Sequence, residues 1–164
     1  MAKKNPPSSP GGRKYVARNR KAFHDYTIIE KIEAGLQLRG TEVKSIRMGH
    51  AGLSGSYAHI DKRTNEAFIN NMTIPPYDFG NRFNHDSLRT RKLLLHKREI
   101  RRLREFVEQK GNTLIPLSLY FIKGRVKVEL GVCKGKAYAD KREAIRRRDA
   151  ERDTQREVAR HFRG

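Results

Sequence analysis

Apolar and polar residues recur with a definite period over most of the chain between Tyr26 and Cys133. Tyr26, Ile28 and Ile32 fall on one side of an alternating run, with Thr27, Ile29 and Lys31 on the other. Glu33-Ala34-Gly35 reads as a turn and Leu36 and Leu38 as its return, predicting a hairpin. Thr41 to Arg47 has Val43 and Ile46 three apart, Glu42 in its first turn and Gly49 past its end, the marks of a short helix. Leu53 to Ile60 and Ala67 to Met72 predict a strand pair around Asp61-Lys62-Arg63-Thr64-Asn65. From Leu95 to Lys110 the period turns helical. Ile100, Leu103 and Val107 form a stripe flanked by Phe106, with Arg98, Arg101, Arg102 and Arg104 opposite and Gly111 as the stop. Leu114 to Ile122 and Arg125 to Cys133 alternate around Lys123-Gly124, a two-residue hairpin turn. Val126, Val128, Leu130 and Val132 point inward; Arg125, Lys127 and Glu129 point out. Pro116 requires an edge or a bulge.

Three segments lack such a period. Residues 1–18 contain Pro6-Pro7-Ser8-Ser9-Pro10-Gly11-Gly12 and have almost nothing to bury, so they are expected to be a disordered basic arm. Thr73 to Leu88 is a long loop with Pro75, Pro76 and Gly80 that carries Tyr77, Phe79 and Phe83. The tail from Lys134 is rich in helix formers and has Glu143 and Arg147 as an i,i+4 pair. It also places Arg148, Arg152, Arg156 and Arg160 in like-charge succession and has only Ile145, Val158 and Phe162 as large apolar residues. It is expected to be disordered when free and helical where phosphates neutralise it. The expected architecture is mainly β with helices: a small closed antiparallel barrel of oligonucleotide-binding (OB) type, with six or so strands and two or three helices. It would cover residues 19–133, between the arm 1–18 and the tail 134–164.

Charge narrows the function. The 164 residues hold 37 Lys and Arg against 18 Asp and Glu, a formal net charge of +19. The excess is +7 in residues 1–21, +7 in 22–133 and +5 in 134–164. Self-repulsion on this scale implies a polyanionic partner. The tail has no Trp/Phe/Leu face with which to lie on a membrane, so nucleic acid fits better. Within seven residues, Arg89 to Leu95 passes from cations at Arg89, Arg91 and Lys92 to apolar Leu93, Leu94 and Leu95. The cations are expected at a surface edge facing phosphate, pinned by leucines below, although a solvated loop over ordinary core would have the same pattern.

Other chemistry finds little support. The chain has no run of about 20 apolar residues, and a basic, Pro-rich start with no apolar stretch after it, which points to a cytosolic or nuclear protein. Cys133 is alone. Histidines 24, 50, 59, 85, 96 and 161 form no metal or catalytic motif, and His24-Asp25 and His85-Asp86 would point apart on strands. No enzyme activity, cofactor or metal is expected. Tyr15, Phe23, Tyr77, Phe79 and Phe83 are candidates to stack on bases, with core packing claiming at least half, and Tyr138, in an otherwise polar tail, is the strongest stacking candidate by exclusion.

Several spaced motifs resemble one family. They are Asn19-Arg20-Lys21-Ala22-Phe23-His24-Asp25-Tyr26, Glu33-Ala34-Gly35-Leu36, Gly40-Thr41-Glu42-Val43-Lys44-Ser45-Ile46-Arg47, Thr90-Arg91-Lys92-Leu93-Leu94-Leu95, Gly131-Val132, Lys134-Gly135-Lys136 and Asp140-Lys141-Arg142. In this order, over about residues 19 to 142, they resemble the SsrA-binding proteins, the small protein B family. The resemblance implies a bacterial, cytoplasmic RNA-binding protein, monomeric and without enzyme activity, that partners transfer-messenger RNA (tmRNA) in trans-translation. It implies that the barrel holds the tRNA-like domain, so that alanyl-tmRNA delivered with elongation factor Tu enters a stalled ribosome at the decoding centre. It maps RNA contacts onto Asn19, Arg20, Glu33, Leu94 and Lys127, with Lys21 in the same motif. It lays the tail, with Gly135, Lys136, Asp140, Lys141 and Arg142, in the empty mRNA channel. Ala139 stands where many relatives have an aromatic residue or histidine, and Tyr138 is one position earlier. A structural ribosomal or ribosome-assembly protein would share the charge, the barrel and the tails.

Overall fold

The computed structural model describes residues 12–77, 84–136 and 138–163, with backbone only for 138–144 and 163. Seven strands and four helices follow in the order β1 (Lys14–Arg18), α1 (Arg20–Asp25), β2 (Tyr26–Leu36), α2 (Gly40–Arg47), β3 (Tyr57–Asp61), β4 (Glu66–Asn70), β5 (Arg91–Leu94), α3 (Lys97–Glu108), β6 (Asn112–Ile122), β7 (Arg125–Gly135) and α4 (Tyr138–Arg163). The protein is therefore mainly a β-sheet with several helices. All its strand pairs are antiparallel.

Long pairings dominate. β7 lies between β2 and β6, held by ladders along most of its length. The turn joining β6 to β7 takes positive φ at both Lys123 (48°) and Gly124 (76°), the primed geometry whose twist matches the strands it joins. Two shorter contacts, Ala58 with Leu114 and Gly35-Leu36 with Leu94-Leu93, link β3 to β6 and β5 to β2. Pairing thus runs β6–β3–β4–β5–β2–β7 and returns to β6. The predicted irregularity at Pro116 is a register shift between Pro116 and Ser118. It spares the ladder a missing N–H.

The core collects the inward residues of every strand, including Ile69, Leu93, Leu114, Leu119, Val128, Leu130 and Val132. Helix α2 adds Ile46, and α3 adds Leu103 with Phe106 and Val107 against it. The stripe predicted for α3 is thus the stripe it buries. A smaller cluster joins Ala22, Ile115, Leu117 and Cys133, and burial pushes the Cys133 thiol up to about 11. Gly131 is needed there, because a Cβ on it would lie 2.9 Å from both Leu117 and Cys133.

Three expectations change. Glu33-Ala34-Gly35 is not a turn but the interior of one 11-residue strand, β2. Ala34, Gly35 and Leu36 are buried there, and ladders to β5 and β7 outweigh the local preference for a bend. Residues 14–18 of the presumed disordered arm form β1, because Val16 and Ala17 pack on the core while the backbone pairs with β6. Residues 134 and 135, assigned to the tail, complete β7 opposite Tyr26 and Thr27. The tail itself forms one helix, α4, beginning beside α1, and Ile145, Val158 and Phe162 all stay exposed. Helix-forming residues account for the helix; among its described side chains no large apolar one is buried. Phe79 and Phe83 lie outside the described residues.

One buried ion pair organises the centre. The Glu42 carboxylate on α2 accepts the Arg39 N–H at 2.9 Å, an N–H of Arg89 at 2.5 Å and the Nε–H of Arg91. Arg91 donates in addition to the carbonyls of Met72, Arg89, Asp86 and Ser87. Burial opposes ionisation of Glu42, but these donors outweigh it and hold the carboxyl below its ordinary value of 4.5. The unfolded chain therefore takes up this proton at a higher pH than the folded one. The contribution of Glu42 is complete above about pH 4.5 and is lost as pH falls below that toward the folded-state value. Glu42→Gln is expected to cost about 3–5 kcal/mol at pH 7 and to flatten the acid limb of a denaturation series. Unchanged stability would remove the pair from the centre of the fold.

Candidate nucleic-acid interface

Strand alternation places the candidate surface. Leu93 is buried, with 1% exposure, so its neighbour Leu94 faces out and is 51% exposed. Gly35 on β2 pairs with Leu94 on one side and Lys127 on the other; Lys127 pairs with Tyr120, and Tyr120 with Tyr15. Leu94, Gly35, Lys127, Tyr120 and Tyr15 thus form one row across five strands, roughly 19 Å long at the usual spacing of neighbouring strands. Gly35 keeps the row low in the middle. A Cβ there would come within 3.2 Å of Leu94 Cβ and 3.7 Å of Lys127 Nζ.

Beside this row opens a groove of about 970 Å³, between β2, β5 and the start of α3. Glu33, Lys92, Leu94 and Lys127 all line it, so the structure brings together four of the residues singled out from the sequence. Its charge is mixed. Lys92 pairs with Glu66 at 2.8 Å and Glu99 caps α3 through the His96 N–H at 3.0 Å, whereas among the described residues no bond or ion pair holds the Lys127 ammonium. Glu33 accepts the Tyr120 hydroxyl and a guanidinium N–H of Arg13. Burial, followed by that bond to Glu33, pushes the Tyr120 hydroxyl well above the ordinary tyrosine range, so it stays a donor.

The other candidates separate into distinct places. Arg20 and Lys21 are exposed on α1, and Lys21 lines a recess of about 320 Å³ with Tyr26, Ser56 and Tyr57. Asn19 sits in the wall of that recess but is structural. Its amide donates to the carbonyls of Leu53 and Pro116 and its Oδ1 accepts the Ala22 N–H, capping α1 and leaving no donor for RNA. Arg91, expected at a surface edge, is fully buried against Glu42, because a carboxylate below the strand replaces the phosphate expected above it. Arg89 is half-buried on the same carboxylate. These two arginines build the seat of β5, and Arg91 displays no charge.

Lys136 is tied to α1: its backbone N–H donates to Asp25 O at 3.1 Å and its ammonium to Phe23 O at 3.3 Å. Gly135 ends β7, while the side chains of Tyr138, Asp140, Lys141 and Arg142 lie outside the described residues. Tyr15 packs on Tyr120, Phe23 lies exposed under the Lys31 ammonium, and Tyr77 faces Lys44. His24 and Asp25 touch at 2.9 Å, since they end a helix and do not alternate on a strand. His85 is buried, bonded to Thr41 and Ile74 O. Among the described residues no three His, Cys, Asp or Glu side chains gather as a metal site needs, and no helix is long and apolar enough to cross a membrane.

Residues 16–160 match the model of the SmpB protein family. The chain belongs to the SmpB family. Among its relatives, the SsrA-binding protein of Caldicellulosiruptor bescii is 55% identical over 150 residues, covering 92% of this chain and 94% of that one. The SsrA-binding protein of Staphylococcus epidermidis is 54% identical over 158 residues, covering 96% and 97%. A solved structure of tmRNA-SmpB, from work on the centre of the bacterial ribosome, is similar with a TM-score of 0.63 and 49% identity, over 79% of this chain and 94% of that one.

Sequence reasoning missed Gly35, Tyr120, Glu129 and Arg13 as parts of this SmpB-family face. The register of β2 between two strands would have revealed the first, and nothing local marks the others. The exposure of Leu94 has a direct test. Leu93→Ala should cost about 2–5 kcal/mol in chemical denaturation and Leu94→Ala well under half as much. Equal losses would place Leu94 in the core.

Proposed function

We propose that the protein binds the tRNA-like domain of tmRNA and brings it to stalled ribosomes for trans-translation. The observation that carries this reading is the convergence of Glu33, Leu94 and Lys127, three positions that the family resemblance maps to RNA, on one groove. Membership in the SmpB family and similarity to SsrA-binding proteins over nearly the whole chain support it.

The ring of strand pairings supports a closed barrel of OB type, with Leu94 and Lys127 of the row across its face meeting the RNA. An apolar side chain exposed beside an unpaired ammonium suits a nucleotide: Leu94 covers a base and Lys127 takes the phosphate. Glu33 carries an oxygen that can accept from a base edge. Arg20 and Lys21 continue the contact along α1. The same reading makes the protein a cytoplasmic, monomeric RNA partner with no reaction of its own, acting with elongation factor Tu and alanyl-tmRNA at the decoding centre.

The tail is the second working part. With no apolar stripe along it, α4 gains further stability from counter-charge, and it persists as a helix where ribosomal RNA lines the empty mRNA channel. Messenger RNA filling the channel excludes it by volume and charge, which confines rescue to ribosomes with no codon to read. Gly135 and Lys136 stand at the exit from the sheet, and Gly135, Asp140, Lys141 and Arg142 serve tagging after binding, with Tyr138 in the same part of the tail.

Lys127→Ala is expected to weaken binding to the tRNA-like domain and to reduce the slope of log affinity against log salt by about 0.7–0.9. An unchanged slope would remove Lys127 from the interface. Truncation after Lys136 should leave that affinity intact and abolish tagging in a reconstituted translation reaction with stalled ribosomes. Loss of both together would show that the two parts are not separable.

A further inference from the structure

The N-terminal arm ends against the proposed RNA face through one unusually well-held side chain. Arg13 donates to Glu129 at 3.2 Å and to Glu33 at 3.5 Å, and its guanidinium carbon lies 4.6 Å from the centre of the Tyr120 ring. Tyr120 fixes the same Glu33 oxygen with its hydroxyl, and Lys31 approaches the other oxygen of Glu129 at 3.9 Å. β1 supports the arrangement from beyond, with Tyr15 tilted on Tyr120 and Arg18 over Tyr15. Arg13 is still 30% exposed.

Two carboxylates on a surface meant for phosphate are a liability unless neutralised. A guanidinium has five N–H donors in a fixed plane, so one that gives single bonds to Glu33 and Glu129 retains others for solvent. Its place over the Tyr120 ring and its bonds to two carboxylates restrict where that plane can turn. A cation held on three sides and open on the fourth has already lost the rotamer freedom that binding would otherwise cost.

We propose that Arg13 is an RNA phosphate-binding residue of the same face, positioned by Glu129 and Tyr120, at the entry to β1. This rests on the reading of the groove as the tmRNA site. It gives Glu33 a second role, as a holder of Arg13, and gives Glu129 a role found in no sequence motif.

The test titrates the full-length protein with the transcribed tRNA-like domain over a range of salt, alongside Lys127→Ala. Arg13→Ala should lower affinity about tenfold and reduce the salt slope by about 0.7–0.9, a change of slope that a loss of stability alone does not produce. Arg13→Lys should keep the slope and recover only part of the affinity, because an ammonium cannot bridge both carboxylates and a phosphate.

Glu129→Gln supplies the sign. Removing a carboxylate from an RNA-facing surface should by charge alone strengthen binding; the positioning role predicts weaker binding with Arg13 present and stronger binding in the Arg13→Ala background. An unchanged slope for Arg13→Ala, or stronger binding for Glu129→Gln in the otherwise natural protein, would overturn the proposal. If Lys127→Ala lowers the slope and Arg13→Ala does not, only the role of Arg13 fails. If neither lowers it, the groove is not the RNA site.

Discussion

The buried contact between Glu42 and Arg91 is the constraint on which the rest of the structure depends. A charged pair inside a protein of 164 residues stabilises it only when nearly every donor and acceptor is matched, and here the matching is dense. The carboxylate takes two guanidinium N–H groups and a backbone N–H, while Arg91 reaches four carbonyls on the approach to β5. A helix, a long loop and a strand are thereby fixed to one point. With Arg91 turned inward, alternation sends Lys92 out, Leu93 in and Leu94 out. The side chains that meet solvent in the groove are a direct consequence of one arginine meeting its acid.

From that seat the outer face follows by register. Gly35 between Leu94 and Lys127 lets an exposed leucine and an exposed lysine share a shallow floor, and a larger residue would raise the floor between them. The protein devotes its strongest electrostatics to shaping this surface and leaves a modest, unpaired charge to act on it. Most of the +19 excess lies elsewhere, in the arm, on the outer side of α3 and along α4. Diffuse charge of that kind attracts a polyanion over about a Debye length, and the groove supplies the fit.

Much of this was legible in the chain. The β6–β7 hairpin, the stripe of α3 and the short helix α2 all follow from period and from Lys123-Gly124, because each is a local pattern that its own neighbours satisfy. The fate of Arg91 was not legible: cations beside apolar residues look alike whether they meet phosphate or a carboxylate 49 positions away. Glu33-Ala34-Gly35 misled for a related reason, since a small residue that permits a bend also permits close packing of three strands. Asn19 shows the same limit. Its place in the motif marked it as an RNA contact, while its cap on α1 and its bonds to Leu53 and Pro116 make it part of the frame.

The claim that one inward arginine sets an outward RNA face is tested most directly by methyl NMR of the full-length protein titrated with the tRNA-like domain of tmRNA. The Leu94 methyl resonances should shift or broaden as RNA is added, while those of Leu93, one residue away and buried over the core, and of Leu103 stay in place. Leu94 methyls that remain unmoved at saturating RNA would contradict it.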